Sequence, residues 1–98
     1  MFNVAVQNGN EILLSGRLDA AQIEKVDQVL DQMQGDCVVN FQSLEYISSA
    51  GLGSLLKTHS RLKASGHTIK LKNLNKHISE VFKYSRLDQI FTIEWKIP

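Results

Sequence analysis

Proline and cysteine are nearly absent from this 98-residue chain, which contains one of each. The proline is the last residue, Pro98, so no proline-rich linker divides the chain and we expect one domain over residues 1–98. The lone Cys37 excludes an intrachain disulfide. It stands in an apolar run, which is typical of a buried thiol in a reducing cytoplasm.

An excess of charge of one sign is also missing. The chain has 11 Lys and Arg residues against 10 Asp and Glu residues, whereas nucleic-acid-binding domains usually carry a basic excess. No apolar run reaches the roughly 18 residues that span a bilayer, and residues 1–4 lack the basic start of a secretory signal. We therefore expect a cytoplasmic protein that neither binds nucleic acid nor inserts into the membrane.

Catalytic and metal-binding patterns are scarce. The three histidines and the cysteine show no metal-ligand spacing, and Gly51–Gly53 lacks the further glycine and the lysine of nucleotide-binding loops. A nucleophilic serine needs a base within hydrogen-bond reach, but His59 falls about 15 Å along a helix from Ser49. The sequence therefore predicts a protein that is not an enzyme and that holds no metal or other cofactor.

The hydrophobic pattern alternates between strands and helices. Alternating or continuous apolar residues predict five strands, at residues 2–6, 12–14, 37–41, 68–72 and 90–95. Apolar residues at helical spacing predict three helices, at residues 23–33, 52–64 and 78–82. The expected order β-β-α-β-α-β-α-β indicates an α/β domain, with a mixed sheet of about five strands and helices packed against it.

Turn and cap residues mark the ends of these elements. Asn8-Gly9-Asn10 is typical of a hairpin turn between the first two strands. Gly16 is expected to end the second strand, and Asp19 to cap the first helix. Gly35 and Gly66 are expected to stop the first and second helices.

The run Tyr46–Gly53 is the most informative stretch of the chain. It joins the third predicted strand to the second predicted helix, so Ser48 and Ser49 lie at a helix start. A helix start carries unpaired N–H groups and about half a positive charge. It can hold a hydroxyl, a bound anion or a phosphoserine. Functional sites in open α/β sheets lie beyond the carboxyl ends of central strands, so architecture and motif indicate the same place.

A stripe of small and then basic residues continues along the second predicted helix. Glycines there cost roughly 0.5–1 kcal/mol each against alanine, and capping by a serine does not need them. Small residues let another backbone come close, which is the shape of a docking surface for a protein partner; the alternative is a merely solvated face, which charge on an exposed helix usually indicates. The candidate docking residues are Ser48, Ser49, Ala50, Gly51, Gly53, Ser54, Lys57 and Arg61. The residues expected to face the core are Leu52, Leu55, Leu56, His59 and Leu62.

Several segments together resemble one known family. Gly16–Asp19 resembles a Gly-x-Leu-Asp motif before the family's first helix, and Val81–Asp88 resembles its late helix and turn. Between them, Val38–Phe41 leads at family spacing into Leu44–Gly53, which resembles the signature Asp-Ser-[Ser/Thr]-Gly-Leu-Gly. The family is that of the STAS domains, in particular the bacterial anti-sigma factor antagonists, and the resemblance covers nearly the whole chain.

The resemblance implies a partner-switching protein in transcription regulation and signal transduction. The family's phosphoacceptor falls on Ser49, with Ser48 as the fallback. The unphosphorylated protein would bind an anti-sigma factor that is also an ATP-dependent serine kinase of histidine-kinase-like fold. Phosphorylation would release that partner, and a metal-dependent phosphatase of the PP2C type would restore binding. The alternative is a non-phosphorylated STAS subunit of an ABC-type transporter or of a larger signalling assembly.

Three positions depart from the family pattern. Ser48 and Asn40 stand where the family has aspartate, and Ala50 replaces a hydroxyl residue. We expect both missing carboxylates to lie close to Ser49. Their loss would make the pocket less negative and ease the accommodation of a phosphate, and it would remove a charge that a kinase reads.

Overall fold

The computed structural model describes residues 1–95 as a five-stranded sheet with three α-helices. The strands are β1 (Phe2–Gln7), β2 (Glu11–Leu18), β3 (Cys37–Ile47), β4 (Ile69–Lys72) and β5 (Thr92–Glu94). The helices are α1 (Ile23–Leu30), α2 (Ser49–Ala64) and α3 (Lys76–Tyr84). The predicted α/β class, the five strands and the element order are confirmed. No helix within residues 1–95 has the length and apolarity needed to cross a bilayer.

The sheet follows chain order, β1-β2-β3-β4-β5, with β1 antiparallel to β2 and the remaining neighbours parallel. Right-handed crossovers that all advance in one direction place the three helices on one face. Alternate residues of β2 show the result, because Ile12 and Leu14 are buried while Leu13 and Ser15 are half-buried. One hydrophobic core therefore lies between the helices and the sheet, and the opposite face meets solvent.

Aromatic rings connect α3 to β3 and to the segment before β5 within this core. The Phe82 ring on α3 lies edge-on to Phe41 of β3 and to Phe91, with centroids 5.9 and 5.8 Å away. Cys37 is buried, as expected, and this burial raises the pKa of its thiol. A buried thiol with a raised pKa is a weak nucleophile.

Strands β2 and β3 are longer than predicted. The expected end of the third strand at Phe41 is wrong, because β3 continues to Ile47. Gly16 does not end β2 either, because the strand continues to Leu18. Gly16 has φ +82°, and a Cβ added there would collide with the Met1 carbonyl. Since β4 pairs only with residues 37–40 of β3, the second half of β3 projects beyond β4 beside β2 alone.

The helix and turn boundaries match the local chemistry in part. The hairpin turn is confirmed by positive φ at Asn8 and Gly9, and Gly66 with φ +80° follows α2 as expected. Asp19 acts as a cap by accepting from the Ala21 N–H at 3.1 Å, although it caps a short 3₁₀ turn that leads into α1.

The remaining differences concern where elements end. Helix α1 ends at Leu30 and not at Met33, although Met33 remains buried in the core. Helix α2 starts three residues before the predicted Leu52. The last strand is shortened to Thr92–Glu94, because residues 87–89 form a 3₁₀ turn ahead of it.

The buried stripe of helix α2 matches the predicted one in part, because Leu55 and Leu62 are buried as expected. Leu52, Leu56 and His59 are only half-buried. The buried residues are Gly51, Ser54, Leu55, Thr58 and Leu62. The Thr58 hydroxyl donates to the Ser54 carbonyl at 3.1 Å, which satisfies its polar group within the helix. Small residues on the buried stripe seat α2 closely on the rest of the fold.

Candidate functional site

Ser48 and Ser49 occupy different positions at the start of α2. Ser48 is the N-cap, with extended backbone and an N–H that donates to the Leu18 carbonyl at 2.9 Å. Its hydroxyl accepts from the Gly51 N–H at 3.2 Å. Ser49 is the first helical residue and is exposed, and its hydroxyl has no hydrogen-bond partner among residues 1–95. The two serines therefore differ in availability, since Ser49 alone presents an uncommitted hydroxyl.

The two glycines of the first turns also have separate roles. Gly51 is buried, and a Cβ there would lie 2.9 Å from Ile47 Cγ1 and 3.0 Å from Leu18 Cγ. Gly53 is exposed and would bring a Cβ into open space. Gly51 thus lets α2 sit directly on the ends of β2 and β3, while Gly53 leaves a bare patch of helix beside Ser49.

The predicted docking surface is therefore smaller than expected. Ser54 is only 5% exposed and Gly51 is also buried, so neither contributes accessible surface in this structure. Both small residues serve internal packing. Ser49, Ala50 and Gly53 remain exposed together on the first two turns of α2.

Lys57 and Arg61 bind the carboxyl end of α1. The Lys57 ammonium lies 3.1 Å from Asp27 Oδ2 and 3.9 Å from Asp31 Oδ1, with the lysine side chain 55% exposed. The Arg61 guanidinium donates to the Leu30 carbonyl at 2.8 Å. This carbonyl belongs to the last turn of α1, where helix carbonyls lack intrahelical partners. Both cations keep exposed surface, but they also fasten α2 to α1.

Asn40 lies far from the helix start. It is 8% exposed in the middle of β3, where its Oδ1 accepts from the Gln42 N–H at 2.9 Å and from Asn73 Nδ2 at 3.1 Å. The stretch of β3 from Asn40 to Ile47 runs beside the five steps of β2 from Leu13 to Leu18, or about 17 Å at 3.3 Å per strand residue. The expectation that Asn40 adjoins Ser49 is wrong, because β3 is longer than predicted.

A carboxylate partner explains why an amide suits position 40. Asn40 Nδ2 donates to Glu11 Oε2 at 3.1 Å, and the Lys72 ammonium donates to Glu11 Oε1 at 3.3 Å. The Asn40 hydrogen bond and Lys72 together hold the pKa of Glu11 below its ordinary value of 4.5, against the opposing effect of desolvation. A carboxylate at position 40 would face Glu11 across this contact.

The histidine on α2 belongs to the packing. The His59 ring lies 5.1 Å from the Phe91 ring, centroid to centroid, and its Nδ1 is buried without a partner in residues 1–95. It stands ten residues beyond Ser49 on the same helix. No three His, Cys, Asp or Glu side chains converge on a possible metal position in this part of the chain.

Two contacts at this end of the sheet were not predicted. The Arg17 guanidinium lies 4.4 Å above the Tyr46 ring, which joins β2 to β3 on the solvent face one pair before the strands end. Asn75 donates from its amide to the Leu44 carbonyl at 3.1 Å and caps α3 through the Ile78 N–H at 2.8 Å. Both depend on strand register, which the sequence pattern alone does not provide.

A five-stranded sheet in chain order, with a capped helix start after its long central strand, agrees with the comparison of this chain with known families. The family model described as "Mlab, STAS domain" matches residues 4–94. The chain belongs to the STAS family.

Three solved structures share the STAS fold. An anti-sigma factor antagonist from Mycobacterium paratuberculosis superposes with a TM-score of 0.77 and 17% identity, over 95% of this chain and 83% of the other. The anti-sigma factor antagonist SpoIIAA in its unphosphorylated form superposes with a TM-score of 0.70 and 17% identity, over 99% of this chain and 90% of the other. The Bacillus cell fate determinant SpoIIAA in the phosphorylated form superposes with a TM-score of 0.72 and 19% identity, over 99% of this chain and 92% of the other. At these identities the likeness establishes the fold.

The start of α2 gives this STAS domain one clear chemical capacity. Ser49 is an exposed acceptor hydroxyl on the first turn of a helix. A phosphate placed there meets the positive end of the helix dipole and N–H groups that have no intrahelical partner. The site can therefore carry a phosphoserine without opening the fold.

Proposed function

We propose that this STAS domain is a cytoplasmic anti-sigma factor antagonist, a regulatory binding module whose partner surface is centred on Ser49. The observation that carries the proposal is the difference between the two serines. The Ser48 hydroxyl is held by the Gly51 N–H, while the Ser49 hydroxyl is exposed on the first turn. A kinase that approaches the helix start therefore meets one free hydroxyl.

Phosphorylation of Ser49 is the proposed switch. A phosphate adds about −1.5 to −2 charges and three strong acceptors. In the free domain the helix start stabilises these charges. In a packed interface the same charges must lose water, at a cost of several kcal/mol. A loss of about 2.7 kcal/mol already weakens binding a hundredfold, so the modification releases a partner without a large change of shape.

The partner surface begins at the exposed residues Ser49, Ala50 and Gly53. Their small size lets the partner's backbone approach the helix closely, and the exposed portions of Lys57 and Arg61 continue the surface. The family resemblance supplies the partners. These are an anti-sigma factor with ATP-dependent serine kinase activity and a histidine-kinase-like fold, and a phosphatase of the PP2C type.

The binding test compares Ser49→Ala and Ser49→Asp with the wild type against the candidate kinase from the same genome, by titration calorimetry. Ser49→Ala should bind as tightly as the unphosphorylated wild type, with and without ATP. Ser49→Asp should bind at least tenfold more weakly. Ser43→Asp is the matched control, because Ser43 is an exposed serine of β3 and lies outside the α2 surface. Equal affinities for all four proteins would reject the switch.

The docking surface has its own test. Gly53→Leu adds a large side chain to open space, so the domain should fold normally but bind the partner at least tenfold more weakly. Ser43→Leu makes a comparable change on β3, outside the α2 surface, and should leave binding intact. Loss of binding in both variants, or in neither, would place the interface elsewhere.

A second candidate function is a fixed STAS subunit of an ABC-type transporter or of a larger signalling assembly. Two observations favour it: Ser48 and Asn40 both stand where the resemblance places an aspartate. Intact-mass measurement on protein from its native cells separates the two candidates. The switch requires an added phosphate that disappears in Ser49→Ala, whereas a fixed subunit carries none and co-purifies with a transporter or assembly.

A further inference from the structure

The two edges of the sheet are protected differently. On one side, β5 has three residues, and its Glu94 lies 3.6 Å from Lys70 on the neighbouring strand. Short edge strands and charged side chains are the usual protections against pairing with another chain. On the other side, β1 has six residues, Phe2-Asn3-Val4-Ala5-Val6-Gln7, with no charge and no proline. Within residues 1–95, strand β1 pairs with β2 on one side and has no strand on the other.

The free side of β1 is accessible along most of its length. Ala5 and Gln7 are exposed, and Val6 is 45% exposed although it is a large apolar residue. Only the Phe2 end is covered, because the Lys25 ammonium of α1 donates to the Phe2 carbonyl at 3.2 Å. An uncharged edge that is blocked at one end leaves residues 3–7 to pair.

We propose that β1 pairs antiparallel with β1 of a second copy of this chain, centred on Ala5. In that register Ala5 faces Ala5, Val4 faces Val6, and Asn3 faces Gln7, and each pair lies on a single face of the joined sheet. Alanine then lies opposite alanine and valine opposite valine, and the amide of asparagine lies opposite the amide of glutamine. The strand is therefore complementary to a second copy of itself. The exposed charges next to the edge on α1, Glu24 and Lys25, have opposite signs, so the two copies bring no patch of one sign together.

The pairing is closed and weak. A two-fold axis through Ala5 uses the free edge of both copies, so association stops at a dimer with one ten-stranded sheet. Two short strands form a contact at the small end of known interfaces, so we expect the dimer to form only at high protein concentration. The two copies run in opposite directions, so the Ser49 sites lie at opposite ends of the dimer and both remain available.

Sedimentation equilibrium over about 1 µM to 1 mM protein tests the proposal, a range that covers weak association. The wild-type mass should rise from one chain to two and stop there. Ala5→Lys and Ala5→Glu each set like charges opposite one another and should remain monomeric. Their equimolar mixture should recover the dimer, because lysine then faces glutamate. Ala5 is exposed, so both variants should keep the wild-type unfolding midpoint. The control is Thr92→Lys, at an exposed position of the other edge strand, β5, and this variant should dimerise like the wild type.

Four results would overturn the proposal. They are a wild type that stays monomeric at 1 mM, an Ala5→Lys variant that dimerises as well as the wild type, a mixture that stays monomeric, and a mass that grows beyond two chains. Because Ser49 lies outside the contact, the result is independent of the proposed switch.

Discussion

The Gly51 N–H donates to the Ser48 hydroxyl across 3.2 Å, and this single contact separates the roles of two adjacent serines. A hydroxyl that caps a helix satisfies an N–H that would otherwise lack a partner. The Ser49 hydroxyl, one residue later, has no hydrogen-bond partner within residues 1–95, and its side chain is exposed to solvent. The stability of the helix start and its proposed modification therefore depend on different side chains.

Ser48→Ala should destabilise the domain by about 1 kcal/mol through loss of the cap. Ser49→Ala should leave the free energy of unfolding within about 0.5 kcal/mol of the wild type, as an exposed substitution does. Urea unfolding measures both. In a kinase assay the more affected variant should be the other one: Ser48→Ala should still incorporate phosphate, whereas Ser49→Ala should not. Ser48→Asp keeps a capping side chain and should restore the stability; a labelled Ser49→Ala would assign the acceptor to another residue.

Gly51→Ala should destabilise the domain by about 1–3 kcal/mol, because the new methyl group presses on Ile47 and Leu18 in a packed region. Gly53→Ala should instead stabilise it by about 0.5–1 kcal/mol, since alanine favours a helix and nothing lies within 4 Å. The pair is a matched control, as both changes add one methyl group to the same helix. Thermal or urea unfolding measures them, and equal effects of the same sign would contradict the packing described for Gly51.

Arg61→Ala should cost about 0.5–1 kcal/mol, because it removes a cation and a donor from the last carbonyls of α1. The loss should shrink as salt is added, since Arg61 is exposed and its charge is screened. Lys63→Ala removes an exposed cation of the same helix and should change stability by less than about 0.5 kcal/mol. Unfolding in urea at low and high salt distinguishes the two, and similar losses would argue against the contact with Leu30.

Asn40→Asp should lower stability at pH 7, because the new carboxylate faces Glu11 in place of a donating amide. The pKa of Glu11 is lowered in the folded protein. Its contribution to stability is therefore present above pH 4.5 and is lost as the pH falls through the folded value. In Asn40→Asp the loss should be largest at neutral pH and should shrink as the pH falls and one carboxylate of the pair gains a proton, because the like charge raises the pKa of one of them.

The double variant Asn40→Asp with Glu11→Gln exchanges the amide and the carboxylate. It should recover much of the urea midpoint that Asn40→Asp loses at pH 7. No recovery, or a loss that does not depend on pH, would show that position 40 is sensitive for a reason other than charge.

Local chemistry was sufficient to predict the element order and several ends. The Asn8-Gly9 turn, the Asp19 cap and Gly66 after α2 each follow from the backbone angles or hydrogen bonds that those residues favour. Strand β3 could not be predicted in full, because its register with β2 shifts twice, between Leu13 and Ser15 and between Gly16 and Arg17. Each shift adds a residue and reverses the alternation of buried and exposed positions.

The candidate site was predicted in part for a related reason. Ser48 and Ser49 were placed at a helix start by the neighbouring sequence, and the helix start is confirmed. The burial of Ser54 depends on packing against other elements and not on hydropathy. The contacts of Arg61 with α1 likewise depend on residues more than 30 positions away, which no local pattern contains.

The projection of β3 beyond β4 divides the central strand into two regions of different local stability. Residues 38–40 pair with strands on both sides. Within residues 1–95, the stretch that ends at Ile47 pairs with β2 alone, and the Asn75 amide donates to the Leu44 carbonyl there. Amide hydrogens in the second region can therefore exchange with solvent through a small local opening that leaves the core intact. This region leads directly into Ser48 and Ser49, so an occupied helix start would slow exchange there while the first region keeps its rate.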